Sequence, residues 1–490
     1  MNIAFITSEA YPFIKTGGLA DVSYSLPRAL AERGHDVRLF LPRYYRVGKD
    51  YFSLKPVGGP LGVPFGGGEK WGALFESGYV PGIVTYFIEH EAYFGRDGLY
   101  DDGYNAYSDN GERFAFFARA VMQAMKALDF LPDIIHCNDW QTGLVPVHAK
   151  TTYGGDPFFR KAASIITVHN VGYQGVFDRG VFSQTHLPWE HFSPGGLEYY
   201  GQINFLKGGI HFSDAVTTVS RKYAMEIQRE EFGYNLAGVF SGVCDRLYGI
   251  TNAVDYGKWD PSADPYIPAQ YSSSRMEGKA FCKGKLQHVM ELDINPSIPI
   301  VGIITRLTYQ KGVDVLLEAL EEMIPGGTLQ FVMLGTGEEW LIQRFQALRD
   351  RHQGRVGVFW GYSEEHAHLI EAGSDIYVMP SRYEPCGLNQ MYSLKYGTIP
   401  VVRATGGLDD TVTQWDAEAG TGNGFKFSLL EHDVVRDTLY AAMSAFKNKV
   451  QWRQLQQNAM AFHYSWDDAV SEYETVYDTA LRRAGDASDT

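Results

Sequence analysis

Short apolar runs, each closing on a loop rich in glycine or cations and then on an amphipathic stretch, recur along this chain and constrain its fold more than any other feature. Runs of this length suit strands buried on both faces, and the amphipathic stretches suit crossover helices, so the pattern predicts an α/β protein with parallel sheets. Residues 3–7 read as the first strand. Leu19, Val22, Leu26 and Leu30 then repeat at helical spacing before Gly34, and 37–41 is the next strand. Pro27 lies inside that helical pattern and is expected to start a second helical piece. Residues 134–136, 164–168 and 215–220 are further strands. The same grammar restarts near Pro299, with strands at 300–305, 329–334, 356–360, 375–379 and 399–402 and a helical stripe of Val313, Leu316, Leu317, Leu320 and Ile324 between the first two. A segment with Pro261, Pro265, Pro268 and three consecutive serines, 259–274, reads as the linker. Two doubly wound domains follow, and in such folds ligands sit beyond the carboxyl ends of the strands.

Length and charge narrow the function classes. A chain of 490 residues is long enough for two such domains. Its net charge of −15 disfavours nucleic acid and anionic membranes as partners, so a phosphate-bearing ligand needs a local basic site. The longest clean apolar run, 298–304, falls far short of the ~20 residues a membrane helix requires. Cys137, Cys244, Cys282 and Cys386 form no CxxC pair, and the opening Met1-Asn2-Ile3-Ala4 reads as a strand rather than a leader, so a cytoplasmic protein with free thiols is expected.

Several loops at strand ends carry residues suited to chemistry. Lys15-Thr16-Gly17-Gly18-Leu19-Ala20-Asp21-Val22 follows strand one and opens a helix, where backbone N–H groups and Lys15 can hold an anion; on spacing alone, a plain glycine turn fits equally well. It is neither a GxGxxG fingerprint nor a Walker loop. Arg306 and Lys311, five apart at the end of strand 300–305, can clamp a diphosphate or form an unliganded charged loop. Glu384, between strand 375–379 and the next helix, can accept hydroxyls or only cap. Thr405-Gly406-Gly407-Leu408 is a second backbone anion nest. Asp139 and His169 follow strands in the first half. They could ligate a metal, but neither HExxH nor zinc spacing is present, and the chain has no Asp-x-Asp pair, so no metal or other cofactor is expected. His366 and His368 read as a solvated helix face.

Taken in order, the Lys15–Val22 motif, Thr167-Val168-His169-Asn170, Asn252-Ala253-Val254-Asp255, Thr305-Arg306-Leu307 with Gln310-Lys311-Gly312, Pro380-Ser381-Arg382-Tyr383-Glu384-Pro385-Cys386-Gly387-Leu388 and Thr405-Gly406-Gly407-Leu408 resemble the bacterial glycogen synthases and plant starch synthases, from residue 1 to about 480. The resemblance implies the GT-B architecture. An acceptor-side Rossmann-like domain would span 1–260 and a nucleotide-sugar domain 261–464, facing each other across a deep cleft, with a last helix, 465–484, returning to the first. It implies metal-independent, retaining transfer of glucose from ADP-glucose to the non-reducing 4-hydroxyl of an α-1,4-glucan. By the same resemblance Lys15, Gly17 and Gly18 contact donor phosphate, and Arg306 and Lys311 hold the diphosphate. Tyr362 stacks on adenine, His169 meets the glucose 6-hydroxyl, and Glu384 orients the ring. Asp21 and Asn252 line the donor site with Thr405, Gly406 and Gly407, while Asp139, Asn170 and Tyr93 lie toward the acceptor. Asn138-Asp139-Trp140-Gln141 departs from the His-Asp-Trp-His of many bacterial members. A UDP-glucose enzyme of the same architecture and a non-catalytic glucan-binding protein are the alternatives, and oligomeric state is left open.

Overall fold

The computed structural model describes residues 1–488, with side chains through 485. By internal packing the chain divides into two compact units. One comprises Met1–Val219, Ala224–Ile250 and the chain from Trp466 onward; the other comprises Ser220–Tyr223 and Thr251–Ser465.

The first unit is built on a ten-stranded sheet, whose main path runs Leu247–Gly249, Ala215–Thr218, Ala163–Val168, Ile134–Asn138, Asn2–Ile6, Asp36–Pro42, Val84–Glu89, Gly68–Ser77, Lys55–Pro56. The strands from Leu247–Gly249 to Val84–Glu89 are parallel, and Gly68–Ser77 reverses to add an antiparallel edge. Counted in chain order, the parallel strands follow 3-2-1-4-5-6-7, the order of dinucleotide-binding folds extended by one strand. The central strands are apolar on both faces: Ile3, Ala4, Phe5 and Ile6 are all fully buried. That double burial is why they read as continuous runs rather than alternating ones.

The second unit carries six parallel strands in the order Val356–Trp360, Gln330–Gly337, Ile300–Leu307, Ile376–Met379, Ile399–Arg403, Phe425–Phe427. In chain order this is again 3-2-1-4-5-6. Its main core joins Val301, Ile303, Phe331 and Met333 of the sheet to Val313, Leu316, Leu317 and Leu320 of the helix Val313–Met323.

Three expectations are corrected. The helix Gly18–Glu32 runs unbroken through Pro27, because Val22, Leu26, Pro27 and Leu30 are buried together and that packing outweighs the local break. The stretch 259–274 is no linker: the Trp259 ring is sandwiched between His368 (3.9 Å) and Tyr392 (4.1 Å), and the Tyr271 hydroxyl donates to the Tyr396 carbonyl at 2.9 Å. The units therefore divide at 250/251, ahead of the expected 260/261. His368, expected on a solvated face, is fully buried and bonded through Nδ1 to Asp264 at 2.8 Å. The helix Trp466–Ser488 belongs to the first unit, where the Tyr477 hydroxyl meets His136 Nδ1 at 2.8 Å. Among the described residues, no helix is long and apolar enough to cross a membrane.

Candidate active site

Each sheet has a switch point, where the chain leaves the first strand in one direction and returns to build the other side; crevices for ligands open there. In the second unit it lies between Ile300–Leu307 and Ile376–Met379, which pair at Val301↔Ile376 and Gly302↔Tyr377. Arg306 and Lys311 leave the end of one strand and Glu384 the end of the other. Lys311 Nζ reaches Glu384 Oε2 at 2.6 Å, with the carboxylate side chain 8% exposed and the ammonium 18%. Ser381 Oγ donates to the same oxygen at 2.8 Å. Arg306 is exposed and holds no ion pair or hydrogen bond through its side chain among the described residues. Its neighbour Arg382 is committed elsewhere, bidentate to Asp314 at 2.7 Å and stacked on Tyr309. The free cation and the paired cation therefore stand at the same strand end, one ready for a ligand and one oriented by a carboxylate.

Thr405 precedes the short helix Gly406–Thr411, which packs onto this corner: the Gly407 N–H donates to the Glu384 carbonyl at 3.2 Å. Gly406 has φ +45°, and a Cβ there would collide with the Glu384 carbonyl oxygen; one on Gly407 would strike the Cys386 backbone. These glycines are required by the protein's own packing. Asn252 is buried with its backbone against Cys386, and Tyr362 is exposed just beyond the strand Val356–Trp360.

In the first unit the switch point lies between Asn2–Ile6 and Ile134–Asn138, bridged by Asn138 Nδ2 donating to the Ile6 carbonyl at 3.0 Å. That bond fixes Asn138 Oδ1 as an acceptor, so His169 Nε2 carries the proton it donates at 2.9 Å and Nδ1 is left as an acceptor. Desolvation pushes the His169 imidazole down to about 3, so it is neutral at pH 7. Asp139 has φ +57° and accepts the backbone N–H of His169 at 2.7 Å. Burial raises its carboxyl to about 7 despite the N–H groups of His169 and Asn170, and the nearby Glu9 charge adds to the rise. Asn170 Oδ1 accepts the Gly172 N–H. Asp139, His169 and Asn170 thus form one group.

The loop after the first strand is looser. Lys15 Nζ pairs with Asp21 at 2.7 Å, both about one-third exposed. The helix Gly18–Glu32 begins at Gly17 with no side-chain cap, so its first N–H groups lack a side-chain acceptor there. Gly17 has an ordinary extended φ of −157°, and a Cβ there would meet nothing within 4 Å. Its missing side chain leaves open space rather than room for the protein itself.

Among the described residues, Tyr93 makes no hydrogen bond or ring contact with Asp139, His169 or Asn170. It is buried, stacked on His90 at 4.3 Å and hydrogen-bonded to Glu112. The tyrosine that the structure sets beside the first loop is Tyr100, whose hydroxyl donates to Glu9 Oε1 at 2.7 Å. Both Tyr100 and Glu9 escaped the sequence reading; only the position of Glu9, just after strand one, could have flagged it. Three ligand-competent side chains cluster at Glu322, His432 and Asp433, but two are exposed and Arg436 is ion-paired to both acids.

Two Rossmann-like units, each with polar loops at its switch point, are the architecture of the GT-B class of glycosyltransferases, and the comparisons with known proteins assign the chain to that class. Residues 2–242 match the family model "Starch synthase catalytic domain", and residues 288–433 match "Glycosyl transferases group 1". The chain is 43% identical to Glycogen synthase 1 of Geobacter metallireducens over 487 residues, 99% of this chain and 97% of that protein. It is 43% identical to the glycogen synthase of Koribacter versatilis, over 98% of each chain. The catalytic domain of starch synthase IV from Arabidopsis thaliana, solved bound to ADP and acarbose, superposes with a TM-score of 0.91 at 30% identity, covering 98% of this chain and 99% of that one. This chain belongs to the glycogen and starch synthase family.

Proposed function

We propose that the protein transfers glucose from ADP-glucose to the non-reducing 4-hydroxyl of an α-1,4-glucan, with retention and without a metal ion, in the cytoplasm. The observation that carries this reading is the second-unit corner, where Arg306 stands unpaired beside the Lys311–Glu384 pair at the switch point. Departure of ADP leaves an oxocarbenium-like sugar and a diphosphate gaining charge. Cations fixed where that charge develops lower the barrier and take the part a divalent ion plays elsewhere. Glu384, held by Lys311 and Ser381, keeps acceptor capacity for sugar hydroxyls. Lys15 and the open backbone at Gly17 and Gly18 serve donor phosphate. His169, neutral with Nδ1 as an acceptor, can take a proton-donating glucose 6-hydroxyl.

Retention has two routes. In one, a carboxylate attacks the anomeric carbon as the bond to phosphate breaks and ADP leaves, and the acceptor 4-hydroxyl then displaces the carboxylate and gives up its proton. In the other, departure and attack share a face, the bond to the acceptor oxygen forms as the bond to phosphate breaks, and the phosphate oxygen takes the acceptor proton. Asp139 is the one carboxylate we nominate for the first route. It is buried and its Oδ1 already accepts the His169 backbone N–H at 2.7 Å, so we favour the second.

The deciding experiment offers radiolabelled ADP-glucose and UDP-glucose, each with and without glycogen, in buffer containing a chelator. Label in glycogen from ADP-glucose alone is the expected result. Transfer only from UDP-glucose sinks the donor assignment, and transfer that needs added manganese sinks the metal-free mechanism.

A further inference from the structure

The first loop has no cap of its own at the start of the helix Gly18–Glu32, yet it holds a definite place. Backbone bonds from Tyr11 to Ala20 and from Ile14 to Ala10 hold its stem, and at Thr16 the holding group is Glu9, a buried carboxylate just after the first strand. Glu9 Oε2 accepts the Thr16 backbone N–H at 2.5 Å, and Oε1 accepts the Thr16 hydroxyl at 2.6 Å and the Tyr100 hydroxyl at 2.7 Å. Tyr100 is held in turn by Ser8 Oγ at 2.7 Å, and the Glu9 carbonyl accepts the Thr7 hydroxyl at 3.0 Å. Among the described residues Glu9 has no salt-bridge partner, so its charge is satisfied by these three donors. Hydrogen bonds to a charged acceptor are the stronger kind, and burial strengthens them.

Thr16 stands between Lys15 and Gly17, so whatever holds Thr16 sets the direction of both. It also shares with Tyr100 the wall of a cavity of about 500 Å³, lined further by Arg46, Asp97, Asp102 and Tyr107. Glu9 therefore ties together the two wall residues Thr16 and Tyr100 through its carboxylate, Tyr100 lying 91 positions from Glu9 along the chain.

We infer that Glu9 is a positioning residue: it touches no reacting atom, and it clamps Thr16 so that Lys15 and the Gly17–Gly18 backbone are aimed at donor phosphate. This deepens the proposed function, and ADP is the probe only because of that reading. The alternative, a merely structural carboxylate, would lower stability without acting on the loop.

The test uses the full chain with Glu9→Ala and Glu9→Gln. Hydrogen exchange read by NMR or mass spectrometry reports the Thr16 amide directly, whatever ligand the protein takes. That amide is slow in the wild type, and it exchanges at least tenfold faster in Glu9→Ala. ADP affinity by calorimetry falls about tenfold in Glu9→Ala, the change expected from losing one charge-assisted hydrogen bond. Glu9→Gln keeps one acceptor and recovers part of both effects, and the KM for ADP-glucose rises more than kcat falls. Wild-type exchange at Thr16 in Glu9→Ala overturns the inference, as does faster exchange with unchanged ADP affinity. A wild type that binds no ADP condemns the donor assignment instead, and the exchange result then still decides the clamp.

Discussion

Each unit opens a helix on a glycine pair, and the two pairs serve opposite ends. Gly406 and Gly407 are glycines because their backbone lies against Glu384 and Cys386, where any Cβ would collide. Gly17 faces open space in an extended conformation that every residue adopts. Charge follows the same division. Lys311 and Glu384 form a mostly buried pair, whereas Lys15 and Asp21 are paired near the surface, where such a pair contributes ~1 kcal/mol or less. One Rossmann-like corner is rigid by packing, and the other is shaped for something other than protein. Order of strands alone does not say which kind of corner a loop will be; the contacts made by the glycines do.

The comparison can be broken at its strongest point first. Lys311→Ala or Arg306→Ala should each lower turnover by about 10²-fold or more if the cation stabilises transition-state charge, read by initial rates of glucosyl transfer. Lys15→Ala, at the looser corner, should cost less; equal losses at Lys15 and Lys311 would erase the distinction. Gly407→Ala should destabilise the second unit by about 2–3 kcal/mol through backbone collision, measured by the denaturant midpoint. Gly17→Ala should leave that midpoint unchanged and raise the KM for the donor. A stable Gly407→Ala variant would show that its neighbours can yield.

The next test is a pH profile. The Asp139 carboxyl sits at about 7 in the folded chain, above its unfolded value, so the folded state binds the extra proton. Its contribution to stability is then present below the unfolded value of about 3.9 and is lost as pH rises toward 7. Asp139→Asn should therefore melt closer to the wild type at pH 5 and above it at pH 7.5, provided scans are reversible. A gap that does not change with pH contradicts the raised value. The smallest effect is expected at Tyr93→Phe, which loses only the bond to Glu112: about 1 kcal/mol of stability, with the KM for glucan unaltered.

Much of this was legible before the coordinates, for a physical reason. A parallel strand buried on both faces is an apolar run, so 134–136, 164–168, 300–305 and 375–379 announced themselves, and the loops after them carry Asp139, His169, Lys311 and Glu384. The antiparallel edge was silent because Gly68–Ser77 is mostly half-buried and shows no such run. Residues 259–274 misled by composition: prolines and serines suggest a tether, yet one tryptophan and one aspartate there bury themselves against His368. Tyr93 and Tyr100 lie seven apart, and spacing does not reveal which hydroxyl turns toward the first loop. The Glu9–Tyr100 bond joins residues far apart along the chain, and such pairings leave no local trace.

The helix Trp466–Ser488 has a consequence for synthesis. It seats Tyr477 on His136, which lies fully enclosed in the centre of the first sheet. On the ribosome, more than two hundred residues of the other unit emerge between that sheet and the helix that covers it. The first unit therefore waits with an unfinished face until that helix has emerged, open to holding by chaperones, while the second can complete itself earlier.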